Sequence, residues 1–192
     1  MVAGISVLIL PRVPATIVRA RLNFNHERWS IAVQALRSSR VCIEESVDYA
    51  RRRKTFGVPL AEHQVIRESP AEPATTTGSA PYKAVGAGHK IAEMTHRVEA
   101  LHALTEQVTY QMQQDVPSSD LGGVCSLLKV HASKCFEFCA REASQIFGGA
   151  SYVRGEGQGS TVERLYREVR GTAIPGGSEE IMLDLAMRQA RL

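Results

Sequence analysis

The stretch NFNHERWSI, residues 23–31, sets one carboxylate, Glu27, between a histidine and an arginine, just ahead of the single tryptophan. Such a carboxylate can abstract a proton when burial raises its pKa towards neutrality. In the first turn of an exposed helix it is only a solvated charge that the helix dipole favours. A second acidic pair, Glu179-Glu180, follows Ser178 and reads as the first turn of a helix with a serine N-cap. The four cysteines (Cys42, Cys125, Cys135, Cys139) follow no zinc or redox spacing. Cys135 and Cys139 are four apart, on one face of a helix, and read as small core residues in a reducing compartment. Six scattered histidines without an HExxH pattern give no metal site.

These groups need elements to position them. From Asn25 the apolar residues Trp29, Val33, Leu36, Ile43, Val47 and Ala50 recur at helical spacing, which predicts a helix to about Arg53 that stops before Gly57 and Pro59. A second helix is expected from His89 to about Gln113, with Ile91, Met94, Val98, Leu101, Val108 and Met112 inside. A third, roughly residues 119–147, carries Leu121, Cys125, Leu128, Cys135, Phe138 and Ile146 and ends at Gly148-Gly149. Shorter helices are expected near 161–169 and 179–190. The pattern is all-α, an up-and-down helical bundle. With 44% hydrophobic and 22% charged residues the composition is that of a globular protein, and a net charge of +3 is too small and dispersed to indicate nucleic acid.

Two segments depart from this pattern. The first 22 residues hold three arginines and no acid, imitating a targeting peptide, but the apolar run 5–10 is too short to span a bilayer and reads as one β-strand. The C-terminal Ala190-Arg191-Leu192 loosely resembles a peroxisomal address. Residues 68–88 hold three prolines and three glycines in 21 positions and little that is large and apolar. Joining Arg67 to His89 leaves the apolar stripe in phase from Ile66 to Ile91, Met94 and Val98. Residues 68–88 therefore read as a disordered insertion into one helix.

Two blocks carry a resemblance: ERWSIAVQALRSSRVCIEESVDYARRRKTFGVPLAEHQVIR and QIFGGASYVRGEGQGSTVERLYREVRGTAIPGGSEEIM. Together they resemble the C-terminal helical domain of the flavin-dependent acyl-CoA dehydrogenases, with the RKTFG, QIFGG and GGSEEI segments in that family's order. The resemblance implies residues 25–192 as that domain, interrupted at 68–88, and residues 1–24 as a remnant of the central β-domain and its linker, so that the chain looks N-terminally truncated. It also implies the chemistry: a carboxylate removes the α-proton of an acyl-CoA thioester while FAD accepts a hydride from the β-carbon.

Most members place the base just before the Gly-Thr or Gly-Ser that opens the last helix. Here that position is Gly176, which cannot act as a base. The isovaleryl and long-chain branches place it in the domain's first helix, before an arginine, where Glu27 stands. The resemblance further assigns Asn25, Arg28, Gly176 and Gly177 to the acyl-CoA channel and its thioester end. It assigns Arg53, Thr55, Phe56, Gln64, Gln145, Ile146, Phe147, Gly148, Gly149, Ser178, Glu179 and Glu180 to FAD. In the family several of these serve the flavin of a neighbouring subunit, which implies a homo-oligomer, dimer or tetramer, or association with a full-length relative. No nucleic acid, membrane span or metal is expected. The competing expectation is a catalytically silent helical bundle, favoured by the absent β-domain and the interrupted helix.

Overall fold

The computed structural model describes residues 15–62, 87–114 and 116–190. The strand expected over 5–10, Gln64 and most of the stretch 68–88 lie outside them. The chain forms helix α1 (Ala15–Arg52), a short hairpin β1 (Lys54–Thr55) and β2 (Val58–Pro59), then helices α2 (Ala87–Gln113), α3 (Ser118–Phe147), α4 (Ser160–Ala173) and α5 (Glu179–Ala190). This is the all-α bundle the periodicity implies. Helix α3 is its centre and packs against each of the other four.

Helix α1 begins ten residues earlier than the polar pattern around Asn25 suggested. Residues 15–24 contain no glycine or proline, and half of them are Ala, Arg or Leu, so once past Pro14 nothing in the sequence interrupts a helix. Glu27 therefore sits about three turns into α1 rather than in its first turn. It gains no favour from the dipole, and its placement needs another reason.

The buried face of α1 also differs from the expected stripe. Val33 is 37% exposed, whereas Ala32, Ala35, Ser39, Cys42, Ser46 and Ala50 are fully buried. Small residues line the contact, and they meet Ala132, Cys135, Cys139 and Ala143 from α3 in one core cluster. The hydroxyls of Ser39 and Ser46 donate to the carbonyls of Ala35 (2.8 Å) and Cys42 (2.6 Å), so neither leaves an unpaired donor in the interface. Phe136, Leu128, Leu101, Val98 and Met94 fill the space between α2 and α3. The four cysteines are free, buried thiols; burial pushes Cys42 up to about 12 and Cys125 to about 11, so neither is a thiolate nucleophile at neutral pH.

Helix α2 is pinned where it begins. The ammonium of Lys90 donates to Glu142 on α3, whose carboxylate also takes Arg141 at 3.0 Å. Glu142 is 9% exposed. Burial alone would raise its pKa, but Lys90 and Arg141 outweigh that and hold it below the usual carboxylate range.

A depressed folded-state pKa contributes stability that is fully present above the unfolded value, about 4.3 for glutamate, and is lost as pH falls through the folded value. Replacing Glu142 by Gln is expected to cost about 1–3 kcal/mol at neutral pH in a urea titration. It should also flatten the fall in stability between about pH 5 and pH 3 that the unsubstituted chain shows. An equal acid slope in both proteins would show that Glu142 is not the group responsible.

Candidate active site

Between α4 and α5 the chain turns through Ile174, Pro175, Gly176 and Gly177, with φ of +72° at Gly176 and +108° at Gly177. Those angles require glycine, because an L-side chain there meets its own backbone. The bend lies against α1. Arg28 donates from Nε to the Gly176 carbonyl at 3.1 Å, and a Cβ built on Gly176 would stand 3.0 Å from Ile31 Cδ1 and 3.5 Å from Arg28 Cγ. Glu27 precedes Arg28 and lies one turn before Ile31, so it belongs to the turn of α1 whose Arg28 and Ile31 meet the bend. Glu27 is half-buried. Burial lowers the Arg28 pKa, while Cys125 and the negative charge of Glu27 oppose the shift.

Asn25 is 4% exposed, and its amide donates to Ser118 O (2.9 Å) and Ser118 Oγ (3.2 Å). It ties α1 to the start of α3. Asn25 and Arg28 also line a groove of about 270 Å³ with Phe24, Ser118, Leu185 and Gln189. Phe24 lies 5.7 Å from the Arg28 guanidinium and is half exposed, and Ile174 in the bend is 69% exposed. Ser178 opens α5: its hydroxyl accepts from the Ile181 N–H at 3.5 Å, and its carbonyl takes the Met182 N–H at 3.0 Å. The α5 amide at Glu180 and the Ser178 hydroxyl lower the Glu180 pKa.

The pattern reading missed a residue on α3. Lys129 is fully buried, and its ammonium donates to the carbonyls of Ala173 and Gly177 (2.8 Å). The signal was present: position 129 is a cation within an apolar phase that includes Cys125, Leu128 and Ala132.

The other expected residues gather at the far end of α1. Phe56 and Gly57 form the turn of the hairpin, with φ of +52° and +86°, the two positive angles of a type I′ turn. Phe56 is a rare non-glycine residue in that region, and its ring is 101% exposed. Arg53 is exposed beside it, and its carbonyl accepts from Leu60 N–H at 2.7 Å. The segment 145–149 is held to this end by Tyr49, which stacks on Phe147 at 4.1 Å and donates to its carbonyl at 3.5 Å. Ile146 and Phe147 face the core, while Gln145, Gly148 and Gly149 face outwards.

Thus Asn25, Glu27, Arg28 and 176–180 form one cluster, and Arg53, Thr55, Phe56 and 145–149 another. Between Glu27 and Tyr49 the helix rises roughly 33 Å. Both ends carry donors and acceptors of the kind a flavin dinucleotide requires. At the hairpin end nothing lies within 4 Å of a Cβ built on Gly148 or Gly149, which leaves their backbone open to a ligand. A groove of about 450 Å³ runs beside them, lined by Arg141, Ser144, Gln145, Tyr152 and Tyr166. At the bend end Glu179 Oε1 is buried without a hydrogen-bond partner among the described residues, an acceptor waiting for a donor.

Comparison with known proteins agrees with both clusters falling inside one domain type. The family model for the acyl-CoA dehydrogenase C-terminal domain matches residues 17–81 and 74–190. An acyl-CoA dehydrogenase of Alternaria alternata, AFT10-1, is 36% identical over 167 residues, covering 87% of this chain and 35% of the relative. The acyl-CoA dehydrogenase apdG of Emericella nidulans is 33% identical over 170 residues, covering 87% and 34%. The chain therefore spans about a third of the length of these curated relatives. Among solved structures, a probable acyl-CoA dehydrogenase from Mycobacterium abscessus superposes with a TM-score of 0.70 at 28% identity, over 90% of this chain and 39% of that one. Among the described residues no helix is long and apolar enough to cross a membrane.

The bend gives a direct test. Gly176→Ala places a methyl at positive φ and against Ile31, and should cost about 1–3 kcal/mol by chemical denaturation. Adding Ile31→Val removes Cδ1, so the double variant should recover the steric part of that loss and leave the backbone part. Strict additivity of the two changes would show that Ile31 and the bend do not touch in solution.

Proposed function

The chain belongs to the acyl-CoA dehydrogenase family, and on that premise we propose that it supplies the catalytic base and part of the FAD site of an acyl-CoA dehydrogenase. One observation carries this reading. The bend in which most of the family places its base has glycine at 176, packed directly on the turn of α1 that bears Glu27. A longer side chain at 176 would have to displace Ile31 or Arg28. A carboxylate at 27 would approach the same region from α1.

Glu27 takes the α-proton of the acyl thioester, and the electron pair of the broken C–H bond becomes the new α,β-double bond as hydride leaves the β-carbon. FAD, when bound, is the hydride acceptor. Arg28 steadies the carboxylate next to it and holds the bend at a fixed distance. Asn25 and Arg28 line the groove that would receive the substrate.

The cofactor contacts divide between the ends of α1. Ser178, Glu179 and Glu180 would meet the ring and ribityl portion at one end, and Arg53, Thr55, Phe56 and 145–149 the ADP portion at the other. As the family resemblance implies, each cofactor would be shared between two chains. Either a second copy or a full-length relative supplies that arrangement. Gln64, which the resemblance also gives to FAD, lies outside the described residues.

The test uses the full chain purified with added FAD. A retained flavin absorbance band that bleaches anaerobically with isovaleryl-CoA or palmitoyl-CoA supports the reading. Glu27→Gln should then slow bleaching by about 10²–10⁴ while leaving the flavin band in place. A colourless protein that takes up no FAD, or a Glu27→Gln variant that bleaches at the unsubstituted rate, would overturn it and leave a silent bundle.

A further inference from the structure

The bend against α1 is held by two cations, and the proton-abstraction reading uses only one of them, Arg28. Five residues, 173–177, present three inward carbonyls, and each accepts from a cation. Arg28 of α1 takes Gly176 at 3.1 Å, and Lys129 of α3 takes Ala173 and Gly177, the latter at 2.8 Å. Lys129 is 0% exposed, and it is the largest fully buried side chain among the described residues. A leucine or methionine would fill that volume without removing a charge from water. The cation is accounted for by what it meets: the last carbonyl of α4, which no intrahelical amide can reach, and a bend carbonyl turned into the core. The charges of Glu179 and Glu180, just beyond the bend, favour the ammonium, while burial and Arg28 oppose it.

From this geometry we infer that Lys129 is a positioning residue: it clamps both ends of the 173–177 bend to α3 and thereby sets the bend's distance from Glu27 and Arg28. Among the described residues the other side-chain hydrogen bond to the bend is the single one from Arg28. Gly176 and Gly177 stand at positive φ, Ile174 is largely exposed, and Pro175 offers no amide. With Lys129 removed, the Arg28 bond would hold the bend at one point only, and a single point permits pivoting. Lys129 touches no reacting atom. It acts through the carbonyl positions, and so through the wall that faces Glu27. Its bearing on catalysis rests on the acyl-CoA dehydrogenase reading above; the clamp itself does not.

The test separates the two. In the full chain, Lys129→Met is expected to speed hydrogen exchange more than tenfold at the Ile174 and Met182 amides. These are the bonded amides on either side of the bend, donating to Arg170 O (3.2 Å) and Ser178 O (3.0 Å). Exchange at Val98 in α2 and Phe136 in α3 should change less than twofold. In the bleaching assay the same variant should lower the rate constant at least tenfold with less than a threefold change in half-saturating acyl-CoA. No change at Ile174 and Met182, or equal acceleration throughout the bundle, overturns the clamp and makes Lys129 an ordinary core residue. Should Lys129→Met fail to fold, the unsubstituted chain decides. A slowly exchanging Lys129 ammonium ¹⁵N resonance coupled through hydrogen bonds to the 173 and 177 carbonyl carbons supports the clamp, and absence of both couplings overturns it. If the unsubstituted chain takes up no flavin, the functional reading fails, and the exchange and coupling measurements still decide the clamp.

Discussion

Helices α1 and α3 meet through alanine, serine and cysteine, and this close approach governs what the other elements can do. Small side chains let two backbones come near, so a shift of either helix would open a void that no long side chain stands ready to fill. Ser39 and Ser46 take part because each satisfies its hydroxyl on its own helix and asks nothing of the partner. The interface is therefore dry and fixed in register. Everything at the two ends of α1 inherits that register, because α1 carries Asn25, Glu27 and Arg28 towards one end and Tyr49 near the other, with Arg53 just past its last residue.

The two ends are built by different means. At the hairpin end the anchor is aromatic: Tyr49 on Phe147 holds the outward glycines 148 and 149 beside Arg53 and the strained turn at Phe56. At the bend end the anchors are cationic, and they bind main-chain carbonyls rather than carboxylates. A carbonyl left by a helix terminus has no partner of its own, and a buried cation that supplies one fixes a loop without requiring the loop to have a particular sequence. Glycine can then occupy 176 and 177 and turn sharply, which lets the bend lie close against Ile31 and Arg28 of α1.

Buried charge is used sparingly, and each instance stands where a connection must be closed. Glu142 with Lys90 and Arg141 fastens α2 at its first turns, immediately after residues 63–86. Lys129 fastens α4 to α5. In both places the charge costs desolvation and returns a defined register, which apolar contacts alone specify less sharply.

The sequence by itself determined the helices, their order and the family. Apolar spacing set the number of long helices, Gly148 stopped α3 and Ser178 opened α5, all of which follow from propensity and from end signals within a few residues. The motifs RKTFG, QIFGG and GGSEEI identified the family because several fixed spacings agree jointly. The sequence misplaced the start of α1, since a polar run resembles a loop although it contains nothing that breaks a helix. It also chose Val33 and Val47 for the inner face, since apolar size marks a stripe more visibly than alanine and serine do. Lys129 stood out as a cation in an apolar phase, but its partners, like the partnership of Arg28 with Gly176, were not legible. Each joins residues far apart along the chain through main-chain carbonyls, which are the same for every residue type and leave no mark in the side-chain pattern. Tertiary packing alone decided which carbonyls turn inward, and therefore which cations the core must contain.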